Sequence, residues 1–247
     1  MTLSLDRLQR PSRASARLAA PLAVVLFWAG MAAAARLYPS GYDWGYQTVS
    51  VLLYSDHNPR GYLWAWGGLQ LCAIAGIAWT IHWRRQFAGG RPCGRPPQVR
   101  ILRAGFVCMC CAVLPDRVLP FSKGHELLAI LAFIGISIGV VQQIHSVISD
   151  RHARRKLEGG AHCSSARLGL ETAMWTSPLL LPLMCAGLTQ AYLTLARPSL
   201  PWVSPAWRAL GVPLYLSFGL WEWISCVMFS LCLLVLWYLL ERTGAMD

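Results

Sequence analysis

The stretch GVPLYLSFGLWEWISCVMFSLCLLVLWYLL, residues 211–240, decides the fold class of this chain. Glu222 is its only charged residue. About twenty consecutive apolar residues are enough to cross the hydrocarbon core of a bilayer as an α-helix. The sequence therefore predicts a membrane-spanning helix here. Because the run is longer than a bilayer requires, we expect its first part to project from the membrane or to lie along the surface.

The rest of the chain repeats this pattern. Of its 247 residues, 55% are hydrophobic and only 13% are charged, too few charges to cover the surface of a water-soluble domain of this length. We therefore predict an all-α, polytopic membrane protein with a bundle of six transmembrane helices. The predicted spans are Leu18–Arg36, Tyr62–His82, Ile101–Pro115, His125–Ile148, Leu170–Leu195 and Gly211–Leu240.

The distribution of Lys and Arg predicts the orientation. Sixteen of the 22 basic residues lie in the N-terminal tail, the second and fourth connections and the C-terminal tail, against six on the other side. Basic residues accumulate in cytoplasmic segments, so we expect a multi-pass protein of the cell membrane with both termini cytoplasmic. The net charge of +11 then reflects topology. Its expected partners are the lipid bilayer and its anionic headgroups, with no role for nucleic acid.

We expect one integral membrane domain over residues 1–247, without a legible internal repeat. Residues 1–17 form a basic cytoplasmic tail, and residues 84–100 and 149–169 form basic cytoplasmic loops. The first span, with Ala32–Ala35 near its end, also resembles a signal peptide with a small-residue cleavage site. Its apolar core is longer than is usual in signal peptides, which favours an uncleaved helix.

Polar residues that are candidates for ligand binding collect at the predicted outer face. An ionisable side chain near apolar helices is costly and usually has a partner or a role. Glu222 is the clearest case, and an ion pair with Arg60, Arg117 or Arg208 would be its structural explanation. The sequence thus predicts a polar pocket that opens to the outer leaflet. Its candidate residues are Ser50, Asp56, His57, Asp116, His125 and Glu222.

Catalytic interpretations of these residues lack a specific pattern. Asp116 could orient His125 as a base, and Ser50 with a histidine and an acid would be a hydrolase set. Neither a zinc-binding spacing nor a nucleophile-elbow motif is present. The run Cys108–Cys111 is better interpreted as small packing residues, since adjacent helical positions point in different directions. The sequence specifies no metal, no cofactor and no catalytic residue.

The segment TVSVLLYSDHNPR, residues 48–60, links the first two spans. We expect its apolar part, Val49 to Tyr54, to fold back against the bundle or the outer leaflet. Asn58 is predicted to cap the second helix, with Pro59 at the first helical position.

Two blocks of the sequence resemble the bacterial membrane family labelled domain of unknown function 998. The first is TVSVL followed by Asn58-Pro59, and the second is LPDRVLPFSKGHELLAILAF, residues 114–133. In the first block Leu53 stands where the family typically has glycine. The resemblance implies the helical membrane architecture and a polar outer site, but no activity. The positions it matches are Ser50, Asn58, Pro59, Pro115, Asp116 and His125.

Three functional hypotheses follow. The convergence of polar groups at the outer face favours a pocket that binds or handles a lipid or another amphiphile. The first alternative is a non-catalytic subunit or scaffold of a larger complex with membrane protein partners. The second is a membrane-embedded hydrolase or transferase that uses histidine and acidic residues. A preponderance of Arg over Lys indicates a GC-rich bacterial source.

Overall fold

The computed structural model describes residues 18–87, 99–112, 124–157, 164–196 and 208–244. These residues form α-helices and one short 3-10 helix, Leu214–Leu216, and contain no β-strand. The α-helices are α1 (Ala19–Arg36), α2 (Val49–Leu53), α3 (Tyr62–Phe87), α4 (Arg100–Ala112), α5 (Gly124–Leu157), α6 (Ser165–Ala196) and α7 (Phe218–Gly244).

Four of the helices are long and apolar enough to span a membrane, and they coincide with four of the predicted spans. They are found in α1, α3, α5 and α7, over Ala19–Arg36, Tyr62–Trp83, Leu127–Ala153 and Phe218–Leu239. The last one begins only at Phe218, after the 3-10 helix, so the first part of the predicted sixth span is separate from the helix that follows it. The all-α fold class is thus confirmed for the described residues, and four of the predicted spans have the length and hydropathy that a membrane-spanning helix needs.

The other two predicted spans are not among the candidate spans found in the described residues. Helix α4 has 13 described residues, and the residues that follow Ala112 lie outside the described part of the chain. Helix α6 has 32 residues and contains Pro178 and Pro182. By length and hydropathy, the described residues therefore support four spans.

The helices extend into both predicted cytoplasmic loops, which corrects the predicted boundaries. Helix α3 continues to Phe87, α5 continues to Leu157 and α6 begins at Ser165, so that residues 84–87, 149–157 and 165–169 are helical. Arg and Lys are good helix formers. Hydropathy marks where a helix leaves the bilayer, whereas the helix itself continues into water.

Three pairs of neighbouring helices, α1–α3, α3–α4 and α5–α6, run in opposite directions. The Asn58 side chain, just before α3, donates to the Ala34 carbonyl near the end of α1. At the other end of the bundle, Arg103 at the start of α4 donates to Thr80 late in α3. Near the same end, the Nε2 atom of His152, late in α5, lies 2.8 Å from the Oε2 atom of Glu171, early in α6. Each pair joins the end of one helix to the beginning of the next, as in an up-and-down bundle.

Two of the helix pairs cross with their backbones in contact. A Cβ atom added to Gly30 of α1 would lie 2.6 Å from the Cα atom of Gly68 in α3. A Cβ atom added to Gly135 of α5 would lie 2.9 Å from the Cα atom of Gly105 in α4. Small residues permit this close approach in membrane helices. The pairs α1–α3 and α4–α5 are therefore each held by a glycine–glycine crossing.

The two pairs share a second feature. Asn58 lies ten positions before Gly68, and His125 lies ten positions before Gly135. Asn58 hydrogen-bonds to the Ala34 carbonyl of α1, and the Nδ1 atom of His125 hydrogen-bonds to the carbonyl of Ala112 in α4. The structure thus contains two similar two-helix units, a relationship that is not visible in the sequence.

Candidate functional site

Helix α2 is held against the bundle by a carboxylate from a distant helix. Val49, Val51 and Leu52 are buried, as expected from the apolar part of the linking segment. Thr48 precedes the helix but makes no side-chain capping hydrogen bond. Instead the backbone N–H of Val49 donates to Oε2 of Glu222 in α7, at 2.9 Å. Glu222 thereby satisfies one of the free N–H groups that every helix start leaves.

An aromatic cluster fixes the chain immediately before α2. The Tyr42 hydroxyl donates to the carbonyls of Gln47 and Thr48, and Nε1 of Trp223 donates to the Tyr42 oxygen and the Gln47 carbonyl. The ring centroids of Trp44 and Trp223 are 4.5 Å apart. Burial raises the pKa of Tyr42, so the hydroxyl proton that these bonds need is retained. Trp223, the residue next to Glu222, is therefore fixed by two hydrogen bonds and a ring contact.

Asn58 closes the other end of the linking segment. It is fully buried, and its amide nitrogen donates to the carbonyls of Ala34 and Leu52, at 3.1 and 3.4 Å. Its side-chain oxygen accepts from the N–H of Gly61, as expected of a cap. The regular helix begins at Tyr62 and not at Pro59, because the residues between them form a turn. All the polar atoms of the Asn58 side chain are thus satisfied within the protein.

A cavity of about 120 Å³ lies among all the helices except α6. Ser50, His125 and Glu222 line it, and most of its remaining wall is apolar. The apolar wall includes Phe27, Phe106, Phe133, Ile136, Phe229 and Leu233.

The polar groups of this cavity lie toward one end. On α7 the lining runs from Glu222 to Leu233, and on α5 it runs from His125 to Ile136. Each interval is eleven residues, or roughly 16 Å of helix. Ser230 also lines the wall, but its hydroxyl donates to the Cys226 carbonyl and accepts from Trp28. The cavity therefore has a polar end at the starts of α5 and α7 and an apolar body below it.

His125 retains one hydrogen-bonding atom that the fold does not use. Its Nδ1 atom bonds to the carbonyl of Ala112, which only accepts, so Nδ1 carries a proton. Nε2 is buried and has no hydrogen-bond partner among the described residues. The neutral ring then presents an acceptor lone pair at Nε2. Asn58 occupies the equivalent place in the first two-helix unit and has no such spare atom.

The structure brings three of the six candidate residues to one cavity, namely Ser50, His125 and Glu222. Asp56 and His57 are exposed on the turn after α2 and do not line it. Asp116 lies outside the described residues, as does its suggested pairing with His125. The matched positions Asn58 and Pro59 serve the turn before α3, and Pro115 also lies outside the described part.

Ion pairs and metal ligands do not account for the site within the described ranges. Arg208 is a suggested partner of Glu222, but its Nη1 atom lies 3.1 Å from the Oδ2 atom of Asp43 instead. Arg60 is exposed, and Arg117 is not described. No group of three His, Cys, Asp or Glu side chains in the described part of the chain is placed to hold a metal ion. The polar end of the cavity thus consists of hydrogen-bonding groups.

Sequence reasoning missed the apolar body of this site. Phe106, Phe133 and Phe229 look like ordinary residues of membrane helices, and nothing in their spacing relates α4 to α5 or α7. Trp223 is buried and hydrogen-bonded, whereas tryptophans near the ends of membrane helices commonly lie at the membrane–water interface. A usable signal was the tryptophan on each side of Glu222, which indicates an enclosed carboxylate.

Comparisons of the chain with models of protein families, with curated proteins and with solved structures gave no match. The resemblance to the family labelled domain of unknown function 998 stays a prediction.

Proposed function

We propose that this chain is a six-span membrane protein with both termini cytoplasmic, and that its cavity binds an amphiphile with a single slender chain. The presence of six helices besides the short α2, with neighbouring helices that run in opposite directions wherever their ends are in contact, supports the span number, and the distribution of basic residues supports the orientation. At 32 residues, helix α6 is roughly 48 Å long, more than the thickness of a bilayer core. Many of its large apolar side chains are exposed, as lipid contact requires: Leu170, Met174, Leu181, Met184, Leu188 and Leu195.

The binding proposal rests on the division of the cavity into a polar end and an apolar remainder. Ser50, His125 and Glu222 mark one end, and the phenylalanine-rich body continues for roughly 16 Å. An amphiphile has the same division into a polar head and an apolar tail. The volume limits the width of the ligand, because 120 Å³ is below the range of drug-sized pockets.

The binding proposal is tested by filling the cavity. Ala132 is buried and lines the cavity, whereas Ala78 on α3 is exposed and does not. Decyl compounds with a diazirine near the tail and a hydroxyl, phosphate or trimethylammonium head are photo-crosslinked to the protein in lipid nanodiscs. At least one compound should label the Phe229–Leu233 region in the wild type and in Ala78→Leu, and labelling should be lost in Ala132→Leu. Equal labelling in all three proteins would refute the proposal.

The orientation is tested separately. Asp56 and Arg151 are both exposed, near opposite ends of the bundle. In intact cells, a membrane-impermeant maleimide should label Asp56→Cys above the wild-type background, and should label Arg151→Cys only after the cells are permeabilised. The reverse pattern would invert the topology.

A further inference from the structure

The hydrogen-bonding chemistry at the polar end of the cavity restricts the head of the ligand. Nδ1 of His125 donates to the Ala112 carbonyl, which leaves the buried Nε2 atom of the neutral ring as an acceptor without a partner among the described residues. A buried polar group of this kind ordinarily has a hydrogen-bond partner. A ligand that supplies a donor at this position would complete the pairing.

Glu222 adds a second constraint. Its Oε2 atom already accepts from the Val49 N–H, and within the described ranges no cation pairs with the carboxyl group. When ionised, the group only accepts hydrogen bonds, and when protonated it can also donate one. A hydroxyl both donates and accepts, so it suits His125 together with either form of Glu222.

We infer that the cavity selects an amphiphile with an uncharged hydroxyl head, such as a long-chain alcohol, over one with an anionic head or with no polar head. This inference rests on the proposed function. A carboxylate or a fully ionised phosphate head offers His125 no proton, and beside the ionised form of Glu222 it would place a second negative charge. A quaternary ammonium has no N–H to donate to Nε2, and an alkane leaves Nε2 unpaired and adds no partner to Glu222.

The size of the preference follows from one net hydrogen bond. Such a bond corresponds to about a tenfold difference in affinity. We therefore expect decanol to compete with the photoreactive decanol for the Phe229–Leu233 region at about a tenth of the concentration that decane or decyl phosphate requires. The measurement is made on the full chain in nanodiscs, with each competitor titrated and its concentration expressed per lipid of the membrane.

Two variants test which residues carry the preference. In His125→Asn the new amide can donate to the Ala112 carbonyl, as Asn58 does to Ala34, while the Nε2 acceptor is removed. In Glu222→Gln the amide oxygen can still accept from Val49, while the amide N–H₂ adds donors. Both variants should keep the wild-type melting temperature within a few degrees and lose most of the preference for decanol. Glu171→Gln, a matched change at the other end of the bundle, should retain it.

The outcomes separate this inference from the proposed function. If no head group gives labelling that Ala132→Leu abolishes, the cavity does not bind amphiphiles and both ideas fail. If labelling is specific but decyl phosphate or decane competes as well as decanol, only the hydroxyl inference is overturned. If either variant fails to fold, the ranking of competitors in the wild type still decides the question.

Discussion

The carboxylate of Glu222 and the backbone N–H of Val49 are 2.9 Å apart and join residues separated by 173 positions in the chain. The bond ties α7, a helix long and apolar enough to span a membrane, to the short helix α2 that covers the polar end of the cavity. It also explains why an acidic residue lies at the start of the apolar run of α7. Glu222 has a structural partner and at the same time lines the cavity.

Replacing Glu222 with Ala should destabilise the protein more than replacing it with Gln. Alanine leaves the buried Val49 N–H without its acceptor, at a cost of about 1–3 kcal/mol, whereas the glutamine oxygen can still accept. The melting temperature in mild detergent measures the difference, with Asp56→Ala on the exposed turn after α2 as the control. Equal losses for Ala and Gln would mean that charge, and not this hydrogen bond, is what matters.

Asn58 should tolerate neither alanine nor aspartate. Its amide nitrogen donates to two carbonyls, and its side-chain oxygen accepts from Gly61. Alanine removes all three bonds, with an expected loss of about 2 kcal/mol or more. Aspartate keeps the acceptor but faces the carbonyls of Ala34 and Leu52 without a donor, so its loss should be at least as large.

Thermal unfolding of these two variants provides the measurement, and Asp56→Ala on the exposed turn is the control. An aspartate variant as stable as the wild type would show that the bonds to the two carbonyls contribute little.

The glycine crossing of α1 and α3 can be tested with two adjacent residues. A Cβ atom on Gly68 would lie 2.8 Å from Gly30 Cα, whereas one on Gly67 would meet nothing within 4 Å. Gly68→Ala should therefore force the helices apart and cost about 1–3 kcal/mol. Gly67→Ala should leave stability unchanged or raise it by up to about 1 kcal/mol, because alanine is the better helix former.

Denaturant unfolding of both variants in the same detergent makes this comparison. Similar stabilities for the two would contradict a tight crossing at Gly68.

The membrane-spanning helices can be predicted from the sequence because the requirement for crossing a bilayer is local: about twenty consecutive apolar residues. Four spans could be located from hydropathy alone, and the burial of Val49 and Leu52 could be expected from the apolar character of that segment. The helices' extension to Leu157 and Phe87 could not, because basic residues that leave the membrane remain good helix formers. Hydropathy reports the surrounding solvent and not the backbone conformation.

The site could be predicted only in part, because its contacts are long-range. Charge placement indicates that Ser50, His125 and Glu222 lie at one face, but it indicates Asp56 and His57 equally well. What separates them is whether each side chain points into the bundle, and this depends on the turn that Asn58 closes. The pairing of Nδ1 with the Ala112 carbonyl leaves Nε2 of His125 without a partner among the described residues, and it is a contact between two helices that no local pattern specifies.

Asp56 and His57 should be dispensable for binding and for stability. Both side chains are exposed on the turn after α2, and the His57 ring contacts the ring of Tyr54, with centroids 6.2 Å apart. Exposed substitutions of this kind change stability by no more than roughly 0.5 kcal/mol. The double variant Asp56→Asn with His57→Gln should match the wild type in melting temperature and in photo-labelling of the cavity. Loss of labelling without loss of stability would move the binding site from the cavity to the exposed turn.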